Sequence, residues 1–321
     1  MNKIPPEILC LIPDFLIDSS GGDVAIRTLT HVCKAWREAF TSYSSLWTGF
    51  RCIDPEKTRV YLQRSKSSPI NLQLERDTGI PPNDPFFQII PHAISRLESL
   101  SISTTPGHLQ DIISHFTHPA PLLEDFSISG GLGDPERNSA LTPTLFGGDF
   151  HLLRRLRLQS VHTDLPWRNM ANLTSFSLRY VLRPGFSIEL LLDFFESAPH
   201  LSDVELTFAI PDFGARIGRL VPLAYLKTLR IYGIQSPSML LEHLLISASA
   251  KLSTTLPSSQ IEDHLPSSLD NLKNLSDFTA IYFHFEPNFV AIKFTGPNGQ
   301  VCLTSLAPAS SAASSAFQSL A

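Results

Sequence analysis

The chain has 321 residues, of which 43% are hydrophobic and 17% charged, and it carries a formal net charge of -5. This is ordinary globular usage with enough length for a large core, and a negative balance argues against nucleic acid, which calls for a basic face. Cys10, Cys33, Cys52 and Cys302 are scattered, with no Cys-x-x-Cys spacing, so neither a disulfide framework nor a zinc site is expected.

In chain order, the first predicted element is a helix. Pro5 and Pro6 suit a first turn, where the missing N–H is no loss. Ile8, Leu9, Ile12, Phe15 and Leu16 follow at three- and four-residue steps, which makes one face apolar. The same prolines, with Glu7, Pro13 and Asp14, interrupt any secretory apolar run. No stretch approaches the ~20 apolar residues of a membrane span, so a cytoplasmic or nuclear location is expected, with no membrane partner. The sequons at Asn172 and Asn274 then carry no glycan. Gly21-Gly22 breaks the first helix and Asp23 is a candidate N-cap for the next. Ile26, Leu29, Val32, Cys33, Trp36 and Phe40 fall on one stripe of that second run. So small a unit cannot bury all of these side chains, and some should face a partner.

These residues resemble the F-box, the helical module that docks onto Skp-family adaptors of cullin-RING ubiquitin ligases. The resemblance covers roughly residues 4–50. It rests on Pro5-Pro6-Glu7-Ile8-Leu9, on Val32-Cys33-Lys34-Ala35-Trp36-Arg37 and on the closing Leu46-Trp47. Ile4 stands where the family usually has Leu, a swap that keeps the volume. Asp18 to Gly22 lengthens the first connection, a change that surface loops tolerate. The resemblance implies adaptor binding through Ile4, Pro5, Ile8, Val32, Cys33, Trp36, Leu46 and Trp47.

Beyond this module a Leu-x-x-Leu-x-Leu pattern with apolar substitutes recurs, opening at Leu97, Leu123, Leu153, Leu173, Leu201 and Leu226. Alternation within each copy predicts a short strand with one buried face, and the spacing fits leucine-rich repeats of about 20–29 residues. A helix is expected over Pro55–Arg64 and a strand over Ile70–Leu74. Further helices are expected over Asp84–Ala93, Gly107–Phe116 and Ile188–Ser197, closed by Pro119, Pro121 and Pro199. Leu145-Phe146-Gly147-Gly148, Leu153-Arg154-Arg155-Leu156, Pro166-Trp167 and Leu191-Leu192-Asp193-Phe194-Phe195 resemble the leucine-rich-repeat F-box proteins common in mushroom-forming fungi. The expected fold class is therefore mixed α/β, a small helical F-box module followed by a leucine-rich-repeat solenoid.

The expected boundaries are residues 1–53 for the F-box and 54–287 for the repeats, which turn irregular over 235–274. The Ser-rich stretch Ser247–Ser268 reads as a loop. Leu275-Ser276-Asp277-Phe278 restarts a unit. Phe289–Phe294 and Val301–Thr304 flank an Asn298-Gly299 turn, predicting a hairpin cap over 288–306. Residues 307–321, almost all Ala and Ser, read as a disordered tail.

Candidate chemistry is sparse. Asp111, His115 and His118 share a helical face, but Pro119 follows at once and a full ligand set is missing. Gly130-Gly131-Leu132-Gly133 lacks the spacing and the Lys of a phosphate loop. No nucleophile, base and orienting group come together in a catalytic frame, so no enzyme activity, cofactor or metal is expected. The outward strand positions are more informative. Arg155, Arg157 and Arg179 form a basic patch, Glu205 is placed to pair laterally with Arg230, and Tyr232 lies just beyond. These six are the expected target-binding residues, on the concave face through which repeat arrays bind. The function implied is a substrate receptor that docks on the Skp-type adaptor, and through it a cullin, and holds an unknown target protein near the ligase. The alternatives are a leucine-rich interaction scaffold, or an F-box protein without a degradative role.

Overall fold

The computed structural model describes residues 8, 12, 22–52, 54–76, 85–130, 140–141, 145–163, 169–180, 187–209, 218–234, 237–256, 264–266, 268–273, 279–286, 289–297 and 299–305. The N-terminal described helices are Gly22–His31 and Lys34–Ser42, joined by a 3-10 turn at Ser44–Trp47 to strand β1 (Gly49–Arg51). Helix Pro55–Arg64 follows. Its start is set locally: Pro55 occupies the first turn and the Asp54 carboxylate accepts from the Glu56 N–H at 2.9 Å, a capping bond that satisfies an otherwise orphan donor.

The strands then run β2 (Ile70–Arg76), β3 (Leu97–Thr104), β4 (Asp125–Ser129), β5 (Ala140–Leu141), β6 (Arg155–Gln159), β7 (His162–Thr163), β8 (Ser175–Arg179) and β9 (Asp203–Thr207). They continue as β10 (Val221–Leu223), β11 (Thr228–Tyr232), β12 (Leu244–Ile246), β13 (Lys251–Leu256), β14 (Ala280–Glu286), β15 (Phe289–Thr295) and β16 (Gln300–Ser305). Twelve of them form one sheet in the order β1-β2-β3-β4-β6-β8-β9-β11-β13-β16-β15-β14, while β5 with β7 and β10 with β12 make two small parallel pairs. Every pairing from β1 to β13, and that of β13 with β16, is parallel. The β16–β15 and β15–β14 pairings are antiparallel.

This architecture corrects the expected fold class. The described residues form a mixed α/β structure with a twelve-stranded, mostly parallel sheet and few helices, in place of a helical F-box module followed by a leucine-rich-repeat solenoid. Immediately before β6 and β8 the chain makes tight turns, in which the Leu153 and Leu173 N–H groups donate to the Phe150 and Met170 carbonyls. Helix Ile188–Ser197 lies between β8 and β9. Ser187 caps it through Leu190, and it buries Ile188, Leu191, Leu192, Phe194 and Phe195. Asp193 and Glu196, on its outer side, are clamped by Arg219, whose Nη1 lies 2.6 Å from Asp193 Oδ1. The hydrogen bond that Arg219 Nε donates to Glu196 Oε1 at 2.8 Å, with the guanidinium charge, holds the Glu196 carboxyl below the usual carboxylate range.

The core lies beneath one face of the sheet. Leu100, Phe126, Leu156, Phe176, Val204, Leu229, Leu252 and Val301 stand in one register row and are all buried. Helix Ile188–Ser197 packs on it through Phe194, its ring 4.4 Å from that of Phe176. Burying each such side chain contributes about 1.5–3 kcal/mol. Phe146 takes a left-handed backbone (φ 51°) to place its ring edge-on to Phe116, Phe126 and Phe150.

A second left-handed device recurs at the strand exits. Ser160, Tyr180, Phe208 and Gly233 follow β6, β8, β9 and β11 with φ of 53°, 55°, 48° and 66°. Outside glycine such a conformation costs about 1 kcal/mol or more. Here each residue donates its N–H to the next strand, to the carbonyls of Arg179, Thr207, Tyr232 and Thr255 at 2.7–2.9 Å. The turn thus adds a rung to the ladder. Gly233 has a further reason to be glycine: a Cβ there would lie 2.4 Å from the Phe208 ring.

The C-terminal part differs from expectation in two ways. Lys251–Leu256 is a strand, not part of a loop. Its inward Thr254 takes the place of a leucine and is fully buried, with its hydroxyl 2.7 Å from His264 Nδ1. The β15–β16 hairpin is present but gains β14 on its far side and continues the main sheet through β13. The expected restart at Leu275–Phe278 and the tail from 307 lie outside the described residues.

The strand register is checked by a pair of neighbours. Leu156→Ala opens a cavity under the sheet and is expected to cost about 2–5 kcal/mol, whereas Arg155→Ala, which removes an exposed ion pair, should cost about 1 kcal/mol or less. Equal urea midpoints for the two variants would contradict the register.

Candidate functional site

Two surfaces gather the residues singled out by sequence. On the N-terminal helices, Ile8 is helical and 53% exposed, Val32 is 56% exposed, and Cys33 is an exposed free thiol. Trp36 is half-buried, its ring 5.5 Å from Phe40 in an edge contact. Ile4 and Pro5 lie outside the described residues.

Leu46 and Trp47 are buried, each only 4% exposed. Trp47 Nε1 donates to the Phe40 carbonyl at 2.9 Å, its ring meets Tyr61 edge-on at 5.0 Å, and the Arg64 guanidinium lies 4.3 Å from its centroid. Phe50 of β1 reaches the same Tyr61 at 5.1 Å. Tryptophan is the residue for this place because one large ring can bury apolar area while its N–H finds a partner. It joins the helices to the sheet.

The second surface is the solvent side of the sheet. Parallel register aligns its outward residues in rows. One runs Ser99, Asp125, Arg155, Ser175, Asp203, Thr228 and Lys251; the next runs Ser101, Ser127, Arg157, Ser177, Glu205, Arg230 and Ser253. Arg155 Nε lies 2.7 Å from Asp125 Oδ2, and Arg157 Nη1 lies 3.3 Å from Asp125 Oδ1, so one carboxylate orients two arginines. Arg179 Nη2 lies 2.6 Å from Glu205 Oε1. The expected Glu205–Arg230 pair is therefore not formed. Glu205 turns to the diagonal neighbour on β8 and leaves its direct neighbour on β11 without an ion pair or hydrogen bond among the described residues. Arg157, Arg179, Asp203, Glu205 and Arg230 line an open depression of about 300 Å³, with Ser177 in its floor. Tyr232, half-buried in the following row beside Thr207, is not among the lining residues.

Sequence reading missed an aromatic pair at the exits of β8 and β9. Tyr180 and Phe208 stack with ring centroids 5.4 Å apart and 12° between planes, and Phe208 is 44% exposed. Each directly follows the last outward residue of its strand, and that shared offset was the available signal. Asp111, His115 and His118 do not converge: among the described residues no cluster of His, Cys, Asp or Glu has the geometry for a metal. His115 instead stacks on Phe87 at 4.1 Å. Gly130 is close-packed, with the Ser160 carbonyl 2.6 Å from where a Cβ would stand, and Gly131 to Gly133 lie outside the described residues. Among the described residues no helix is long and apolar enough to cross a membrane.

Burial pushes the His115 imidazole below its ordinary value, against a smaller opposing pull from Asp111. As pH falls, the unfolded chain takes up this proton first. The contribution of His115 to stability is thus whole above the ordinary histidine range and declines as pH drops through it. The difference in urea stability between wild type and His115→Gln should accordingly change across that range; a constant difference would refute a depressed imidazole.

No known family, curated protein or solved structure matches this chain.

Proposed function

We propose that the chain is the substrate-receptor subunit of a cullin-RING ubiquitin ligase. Its N-terminal helices dock on a Skp-family adaptor, and the solvent face of the sheet holds a target protein. The reading starts from the resemblance of Pro5 to Leu9, Val32 to Arg37 and Leu46-Trp47 to the F-box. The observation that carries it is that Ile8 and Val32, which lie within the segments that carry this resemblance, are exposed. These apolar side chains stay on the surface although the same chain buries a continuous core. The receptor supplies proximity and no chemistry of its own, with ligase activity residing in partner subunits. Cytoplasm or nucleus is the compartment this role requires.

Co-expression of the tagged chain with a Skp-family adaptor tests the docking half. A Val32→Asp, Ile8→Asp double variant changes only exposed side chains, so it should keep the wild-type circular dichroism spectrum. Its adaptor affinity should fall by about 2 kcal/mol or more, as for apolar anchors at such interfaces. Undiminished adaptor binding by this folded variant would refute the assignment. Trp47→Ala should instead lose binding together with thermal stability, because its ring is the joint between helices and sheet.

A further inference from the structure

We propose that the depression on the sheet is an acidic-peptide site, which receives a side-chain carboxylate of an extended target segment on Arg230 and a neighbouring apolar side chain on the Tyr180–Phe208 shelf. The proposal rests on the reading of this face as the target-binding surface.

Charge distribution is the first support. The chain as a whole carries -5. The outward positions of β4, β6, β8, β9, β11 and β13, however, hold Arg155, Arg157, Arg179, Arg230 and Lys251 against Asp125, Asp203 and Glu205 alone. A locally positive face attracts acidic segments.

The pairing pattern is the second. Asp125 fixes Arg155 and Arg157, Glu205 takes Arg179, and Asp203 is occupied by the Ser202 hydroxyl at 2.6 Å. Arg230 is left as an exposed guanidinium with no ion pair among the described residues, on the wall of the depression. Its planar fork suits a carboxylate in two-point contact. Glu205, in direct register with it, occupies Arg179 as a ligand carboxylate would.

The third support is the shelf. Tyr180 and Phe208 sit one residue beyond Arg179 and Thr207, at the exit of the same strands. Left-handed backbones and the Gly233 surface against Phe208 hold the two rings in place. A rigid aromatic pair with Phe208 exposed and Tyr180 half-buried presents contact area at small entropic cost. An extended peptide lying along the strand direction therefore meets charge first and aromatic surface next.

A random-peptide display library panned against the immobilised full chain tests this. The enriched peptides should carry Asp or Glu beside an aromatic or aliphatic residue. Arg230→Glu should abolish their binding, and Glu205→Gln, which frees Arg179, should tighten it by about tenfold. Adaptor binding is measured in parallel and should be unchanged in both variants. Peptide capture that persists where adaptor binding is absent upholds the acidic-peptide site and removes only the ligase reading. The proposal is overturned if no acidic sequences are enriched, if Gln-for-Glu peptides bind equally, or if Arg230→Glu, folded by circular dichroism, retains binding. Displacement of the peptides by equimolar inorganic phosphate would also overturn it, as the mark of a bare anion site.

Discussion

Parallel pairing in one shared register from β3 to β16 is the constraint on which the rest of this structure depends. A strand alternates its side chains between faces, so a slip of one residue would turn Leu156 and Leu158 outward and bring Arg155 and Arg157 into the core. Burying those guanidiniums without partners is far costlier than any surface pairing could offset. The apolar rows therefore lock the register, and the locked register in turn aligns the polar rows on the other side. Asp125 can orient two arginines because β4 and β6 stand side by side with no offset.

The connections serve the same register. Left-handed residues at Ser160, Tyr180, Phe208 and Gly233 turn the chain away from the sheet yet keep their N–H groups in the ladder. Buried backbone donors need partners, and this geometry supplies them where a regular strand would already have ended. It also sets Phe208 with its ring against Gly233 on one side and stacked with Tyr180.

The two surfaces have different physical characters. The N-terminal helices present apolar side chains on short elements tied to the sheet through Trp47 and Tyr61. The sheet face presents charge on strands braced from both sides in the middle of a twelve-stranded array. At the C-terminal end the leucine rows change. Thr254 buries a hydroxyl against His264, and the strand direction reverses after β16.

Alternation of apolar residues was legible from the chain alone, and it placed β3, β4, β6, β8, β9 and β11 with their inner and outer faces, because period-two patterning is a local property. The helix caps at Asp54 and Ser187 were local as well, and helices Pro55–Arg64 and Ile188–Ser197 follow from them. The single twelve-stranded sheet was not legible, nor was β13, where a threonine interrupts the apolar pattern and its partner His264 lies ten residues away. Trp47 shows the same limit: the resemblance to the F-box marked it, but whether it faces a partner or the core depends on Tyr61 and Arg64 of another helix. The sequence also named the arginines of the sheet face without deciding their pairing. Glu205 has Arg230 beside it in register and Arg179 on the diagonal, and only the packed arrangement of three strands gives it to Arg179. Local pattern determines which face a side chain takes, while the partner it meets there depends on residues far away in the chain.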